Sequence, residues 1–177
     1  MSATFKEGLE VKFHPIQPKD KALLKELFYS HSEQTILQRY LGLIRHLPHE
    51  QVQKFVTLDY CNDFALVGLV PHEGRERMVG VGRYFRNPAN QDAEIAITVH
   101  NDIQRCGIGT FLAQTLVKIA KENGIAAFIA HILAGNPAMM CIFRKLAGKW
   151  KSNQNQRFFR FDLKWPKKCE QKMKKIY

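Results

Sequence analysis

The sequence has no apolar run long enough to cross a bilayer. The longest, residues 125–133, falls far short of the ~20 residues that a span needs. Its first residues, Met1-Ser2-Ala3-Thr4-Phe5-Lys6-Glu7, lack the apolar segment of a secretory signal. Cysteine is sparse: Cys61, Cys106, Cys141 and Cys169 contain no Cys-x-x-Cys pair. Spacing therefore offers no zinc site, and no metal is expected. A disulfide framework is not expected in a domain of this size. These absences lead us to expect a reducing, cytoplasmic setting and no membrane partner. No internal repeat or low-complexity linker is present. Acidic residues are few, 16 against 27 Lys and Arg, for a formal charge of +11. The excess is local: residues 149–177 hold ten Lys or Arg against Asp162 and Glu170, a net of +8. We therefore expect a domain over residues 1–163 and a basic tail over 164–177. Such a tail suits nucleic acid, an acidic membrane surface or an acidic substrate, and is as often a solvated terminus. With one interleaved aromatic, Trp165, its nucleic-acid signal is thin, and nucleic acid is not expected as a partner.

What is present suffices for a core. A hydrophobic content of 45% with twelve Phe in 177 residues suits one globular domain. Residues 9–16 alternate as a strand. Asp20 is positioned to N-cap a helix over 21–30, and further helices are expected over 32–43 and 48–57, the last with Val52, Phe55 and Val56 on one face. The period then changes to two. Strands are predicted over 64–70, 78–85 and 93–100, with turns at 71–74 and 86–92, as in an antiparallel meander. In the third of these, Ile95, Ile97 and Val99 share one face, and Glu94, Ala96, Thr98 and His100 the other. A long helix follows over 107–123, with Gly124 at its C′ position. Residues 125–133 are almost wholly apolar, as in a parallel strand buried on both faces. Asn136 caps another helix with Pro137 at its first position, and residues 157–164 form a last strand. The class is α/β, in the order β-α-α-α-β-β-β-α-β-α-β.

The segment Gln104-Arg105-Cys106-Gly107-Ile108-Gly109 lies where a strand gives way to a helix. Glycine there permits positive φ and close approach of backbone to a ligand. The free N–H groups of the first helical turn, with the helix dipole, favour a phosphate or pyrophosphate, and Arg105 can add a charge. A P-loop would need Gly-Lys-Ser/Thr, but Gly109 is followed by Thr110-Phe111. A dinucleotide fingerprint would need a third glycine where Leu112 stands, and an acidic residue within 125–133, which has none. A tight turn without a ligand would also account for the two glycines alone.

In its setting the loop resembles the GNAT superfamily of N-acetyltransferases. Gln104-x-x-Gly107-x-Gly109 is similar to that superfamily's Arg/Gln-x-x-Gly-x-Gly/Ala signature, and Asn136 to a second common element. The likeness runs over about residues 9–163. It implies a single GNAT-like domain: a mixed, mostly antiparallel twisted sheet flanked by helices, splayed between the fourth and fifth strands. Residues 32–41, with Arg39-Tyr40-Leu41, and Asp59-Tyr60 look like the acetyltransferase domains of bacterial protein-lysine acetyltransferases.

The resemblance implies acetyl-CoA as co-substrate and an amine as acceptor, a protein lysine first and a polyamine or antibiotic second. The pantetheine arm would lie against main-chain groups of Ile97 and Val99, and the Val99 N–H would stabilise the oxyanion. Gln104, Arg105, Cys106, Gly107, Ile108, Gly109 and Thr110 would hold the pyrophosphate, with Asn136 nearby. Glu94 is the candidate general base, similar in Ala93-Glu94-Ile95 to related enzymes; an exposed strand-start glutamate is the alternative. Seven residues after Asn136, where many small-amine acetyltransferases carry a proton-donating tyrosine, this chain has Phe143. That departure favours the protein-lysine reading. His100 and His131 fall near the site, and a structural role is the more common one for each. A non-catalytic acyl-CoA- or nucleic-acid-binding module is the competing class.

Overall fold

The period-two segments assemble into one seven-stranded sheet in sequence order. In this computed structural model the described residues are 1–40, 44–133, 135–146 and, as backbone, 158–164. The strands are β1 (Ser2–Thr4), β2 (Glu10–Pro15), β3 (Asp63–His72), β4 (Arg75–Arg86), β5 (Asp92–Val99), β6 (Ala127–Leu133) and β7 (Phe158–Lys164). The helices are α1 (Lys21–Tyr29), α2 (Glu33–Tyr40), α3 (His49–Val56), α4 (Ile108–Glu122) and α5 (Pro137–Leu146). Neighbouring strands are antiparallel except β5 and β6, which the α4 crossover makes parallel. The expected α/β architecture and its meander of β3, β4 and β5 are therefore present.

Each face of the sheet carries its own core. Val11 and Phe13 of β2, Ile95 and Ile97 of β5, and Leu112 and Leu116 of α4 pack on one face, with Phe143 of α5. Leu24, Leu27, Val52 and Val56 of α1 and α3 pack on the other, against Ala65 and Val67. The interior strand β3 is buried along Phe64 to Leu69 because helices cover it on both sides. The periodic face expected for residues 48–57 is present, with Val52 and Val56 at 0% exposure.

Two details differ from the sequence reading. The strand β1, which pairs with β2 at Ala3 and Val11, is only three residues long and has no periodicity to reveal it. Asp20 does not cap α1; its Oδ2 accepts the Gln17 N–H at 2.7 Å, closing a 3-10 turn over Pro18–Asp20. Proline at 18 favours that extra turn before the helix starts. The helix expected over 32–43 is described as Glu33–Tyr40; Leu41 to its expected end, the tail over 165–177 and Cys169 lie outside the described residues.

Helix α4 joins the two parallel strands and covers the meander. It ends as expected at Gly124, with φ of 72°. The Gly124 N–H reaches Lys121 O and the Ile125 N–H reaches Ala120 O, a Schellman closure. Its approach to the sheet is set by Gly80 and Gly82. A Cβ at Gly82 would lie 2.9 Å from Leu116 Cδ1 and 3.2 Å from Leu112 Cβ, both in fully buried side chains. Replacing Gly82 by Ala should destabilise the fold by about 1–3 kcal/mol through overpacking, read as a lower midpoint in urea unfolding.

A histidine lies under the junction of α1 and α2. The ring nitrogens of His31 are buried, with the Asn101 side chain beside them. Burial lowers its pKa from 6.5 to about 4, against the Asn101 side chain, which favours the charged ring, and with smaller lowering contributions from the charges of His100 and Arg39. His100, held by Arg77 and Asp102, is lowered in the same direction by burial and then by Arg77. The unfolded chain takes up a proton on His31 near pH 6.5 that the fold refuses until about pH 4, so the unfolded state binds more protons in that window. Thermal midpoints should fall as pH drops from about 6.5 towards 4, and His31→Phe should flatten that slope.

Candidate active site

The parallel pairing of β5 with β6 is brief. Asp92 faces Ala127, Ala93 faces Phe128 and Glu94 faces Ile129, and there the register ends. Beyond Glu94, β5 continues to pair with β4 as far as Val99, while β6 continues to pair with β7 as far as Leu133. Each strand keeps its outer partner and loses the inner one, so the sheet opens as a V with Glu94 at its apex.

The orientation of the main chain inside this V follows from one hydrogen bond. The His100 N–H is donated to Val79 O of β4 at 2.8 Å. Peptide directions alternate along an antiparallel strand. The N–H and C=O groups of Val99, Ile97 and Ile95 therefore turn away from β4 and towards the opening. Val99 O agrees with this, since it accepts the Gln104 side-chain amide at 3.1 Å across the loop.

The wide end of the V meets the start of α4. The loop reaches the helix through Arg105 at φ 64° and Gly107 at φ 102°. The first intrahelical bond runs from Phe111 N to Gly107 O at 3.0 Å. The N–H groups of Ile108, Gly109 and Thr110 precede it and have no intrahelical acceptor. Gly109 lets α5 approach: a Cβ there would lie 3.0 Å from Ile142 Cδ1. The cradle of unpaired donors at a helix N-terminus fits a pyrophosphate.

A cavity of about 550 Å3 fills the V. Glu94, Ile97, Val99, Gln104, Arg105 and Gly107 line it, as do Ile108, Gly109, Thr110 and Asn136. Of the residues expected from sequence, Cys106 alone is not part of the lining; its Sγ turns back to Gln104 O at 3.7 Å. Asn136 is 8% exposed, and its Oδ1 accepts the Met139 N–H at 3.1 Å as the cap of α5. That bond leaves its amide nitrogen for the cavity. Phe143 lines the floor.

Glu94 is exposed and is the one carboxylate in the described lining, which includes no tyrosine. It also lines a second cleft, of about 280 Å3, with Phe85, Arg86 and His131. His131 is exposed and borders both spaces, whereas His100 is 5% exposed and borders neither. The described residues contain no cluster of side chains suited to a metal ion, and no described helix is long and apolar enough to cross a membrane.

Two arginines were given no role at the site from the sequence, although Arg39 stands in the Arg39-Tyr40-Leu41 likeness. Arg39 of α2 borders the cavity beside Glu94. Arg83 of β4 is 2% exposed, its guanidinium 4.2 Å from the Phe55 ring centre and its Nη1 without a hydrogen-bond partner. Burial, and then the charge of Arg39, lower its pKa to about 9, so it remains a cation at neutral pH. The available signal was positional. Arg83 follows Val81 on a core-facing period of β4, where a charge needs a reason.

Comparison with known proteins agrees with this geometry. The sequence profile of the acetyltransferase (GNAT) family matches residues 29–148. An acetyltransferase of Pseudomonas aeruginosa is 28% identical over 133 residues, which cover 75% of this chain and 72% of that protein. The acetyltransferase Pat of Mycolicibacterium smegmatis is 29% identical over 120 residues, 67% of this chain but 35% of Pat. The crystal structure of the GNAT domain of S. lividans PAT has the same fold, with a TM-score of 0.82 over 93% of this chain and 96% of that one at 21% identity. The profile spans α2 to α5, and with them the V, the loop and Glu94: the chain belongs to the acetyltransferase (GNAT) family.

Proposed function

We propose that this acetyltransferase moves an acetyl group from acetyl-CoA to the side-chain amine of a protein lysine, with Glu94 as general base. The observation that carries the reading is the position of Glu94: the one carboxylate of the described cavity lining, at the apex of the V and open to a second cleft. A lysine ammonium has a reference pKa of about 10.4 and must lose a proton to attack. Glu94 takes that proton directly or through one water. The amine then forms its bond to the acetyl carbon, and the carbon–sulfur bond breaks.

The remaining roles follow the same line. The Val99 N–H, turned into the V, donates to the carbonyl oxygen as it gains charge. Ile97 offers strand-like bonds to the pantetheine arm, with the Asn136 amide nearby. The loop from Gln104 through Arg105 and Cys106 to Gly107, and the N–H groups of Ile108, Gly109 and Thr110, hold the pyrophosphate, with Cys106 contributing main chain alone. A thiol with a reference pKa of about 8.5 departs without strong acid assistance. Phe143, fully buried, supplies none. The protein acceptor is supported by the likeness of residues 32–41 to bacterial protein-lysine acetyltransferases and by the exposure of Glu94. A polyamine, as a polycation, is disfavoured beside Arg39 and Arg83.

Two substitutions test this reading. Glu94→Gln should lower kcat by about 10²–10⁴-fold with KM for acetyl-CoA unchanged, measured by initial rates on a lysine peptide; unchanged turnover would remove Glu94 as base. Gly107→Ala places a side chain at φ 102°. It should weaken CoA binding by roughly tenfold, read by calorimetry, with kcat at saturating acetyl-CoA far less affected.

A further inference from the structure

Among the described residues, Arg39 and Arg83 form a cationic pair with no carboxylate in ion-pair contact. Arg83 stands opposite Ala96 in the register of β4 and β5. Its side chain therefore lies on the sheet face that carries Glu94 and Ala96, both of which line the cavity. Arg39 reaches the same region from α2 and interacts electrostatically with Glu94 and with Arg83. None of the ion pairs among the described residues engages either guanidinium. Of the other arginines nearby, Arg86 donates through both Nη atoms, to Asn62 and to Asn123 O, with only its Nε unpaired, and Arg77 meets Asp102. A buried guanidinium with an unpaired donor, beside a second cation, is costly unless an anion completes it.

Neither the described residues nor the expected co-substrate supplies that anion. Glu94 lies outside ion-pair distance of both arginines and is the proposed base. The expected pyrophosphate site is at the other end of β5, roughly 17 Å away at ~3.3 Å per residue, with Arg105 in its own loop. The anion must arrive with the acceptor. A planar carboxylate matches the fork of a guanidinium.

We propose that Arg39 and Arg83 are an acceptor-specificity subsite that receives an Asp or Glu carboxylate flanking the target lysine. The proposal rests on the protein-lysine reading above. Arg39 meets the carboxylate at the cavity edge, and Arg83, buried behind the lining and stacked on Phe55, adds its charge from below.

The test uses two lysine peptides that differ by Glu against Gln beside the lysine. With the wild-type enzyme, kcat/KM should favour the Glu peptide by roughly tenfold or more at low salt, and the preference should shrink as salt rises. Arg39→Gln and Arg83→Met should each remove the preference by raising KM for the Glu peptide alone, with KM for acetyl-CoA unchanged, and Arg39→Lys should restore part of it. Should Arg83→Met fail to fold, the wild-type comparison and Arg39→Gln decide. Equal use of both peptides by the wild type, or an equal loss on both in Arg39→Gln, would overturn the subsite and leave the protein-lysine reading standing. Turnover of a polyamine with none of any peptide would overturn both.

Discussion

The separation of β5 from β6 after Glu94 governs the rest of the molecule. A sheet is stable because its main-chain donors and acceptors are paired, and an opened seam leaves a row of them without partners. Here the seam is held open because each strand is committed on its far side, β5 to β4 and β6 to β7. The groups of Ile97 and Val99 then face a space that no strand fills. The Gln104 amide takes up one of them, Val99 O, and fixes the loop to the strand in doing so. Packing serves the same opening: Gly80 and Gly82 let α4 sit close on the meander, and Gly109 lets α5 close over its first turn.

The site is electrostatically divided. At the wide end, unpaired N–H groups and a helix N-terminus give a diffuse positive potential suited to a diphosphate. At the apex the positive charge is concentrated in Arg39 of the lining and the buried Arg83 behind it, neither of them in ion-pair contact with Glu94. A ligand spanning the V therefore meets cations at both ends and an apolar middle of Ile97, Ile132 and Phe143.

Much of this could be read in the sequence, because the features concerned are local. Strict alternation marked β5, and Gly124 marked the end of α4. Gly107 and Gly109 marked a backbone that a side chain would obstruct. Asn136 followed by proline marked a helix start, and its cap is formed. What escaped was set by long-range packing. Asp20 had the residue type of a cap, yet Pro18 drew its carboxylate into an earlier turn. Arg39 was legible only within the Arg39-Tyr40-Leu41 likeness, and only the placement of α2 over β5 brings it to the cavity. Arg83 is buried because Phe55 of α3, far away in sequence, stacks on it. Cys106 belongs to the loop by sequence, but its left-handed neighbours turn its thiol away from the opening.

The strand β5 also acts as a ruler with parity. Glu94 projects from one face of the sheet, while Val99 presents its main chain in the sheet plane five residues further on. The count between them fixes both a length and a handedness. A one-residue insertion would lengthen the rod by ~3.3 Å and turn every following side chain to the opposite face. Ile97 would then leave the core and the loop would arrive on the wrong side. Loops around the acceptor can vary in length at little cost, but this interval can change only together with the length of the molecule it measures.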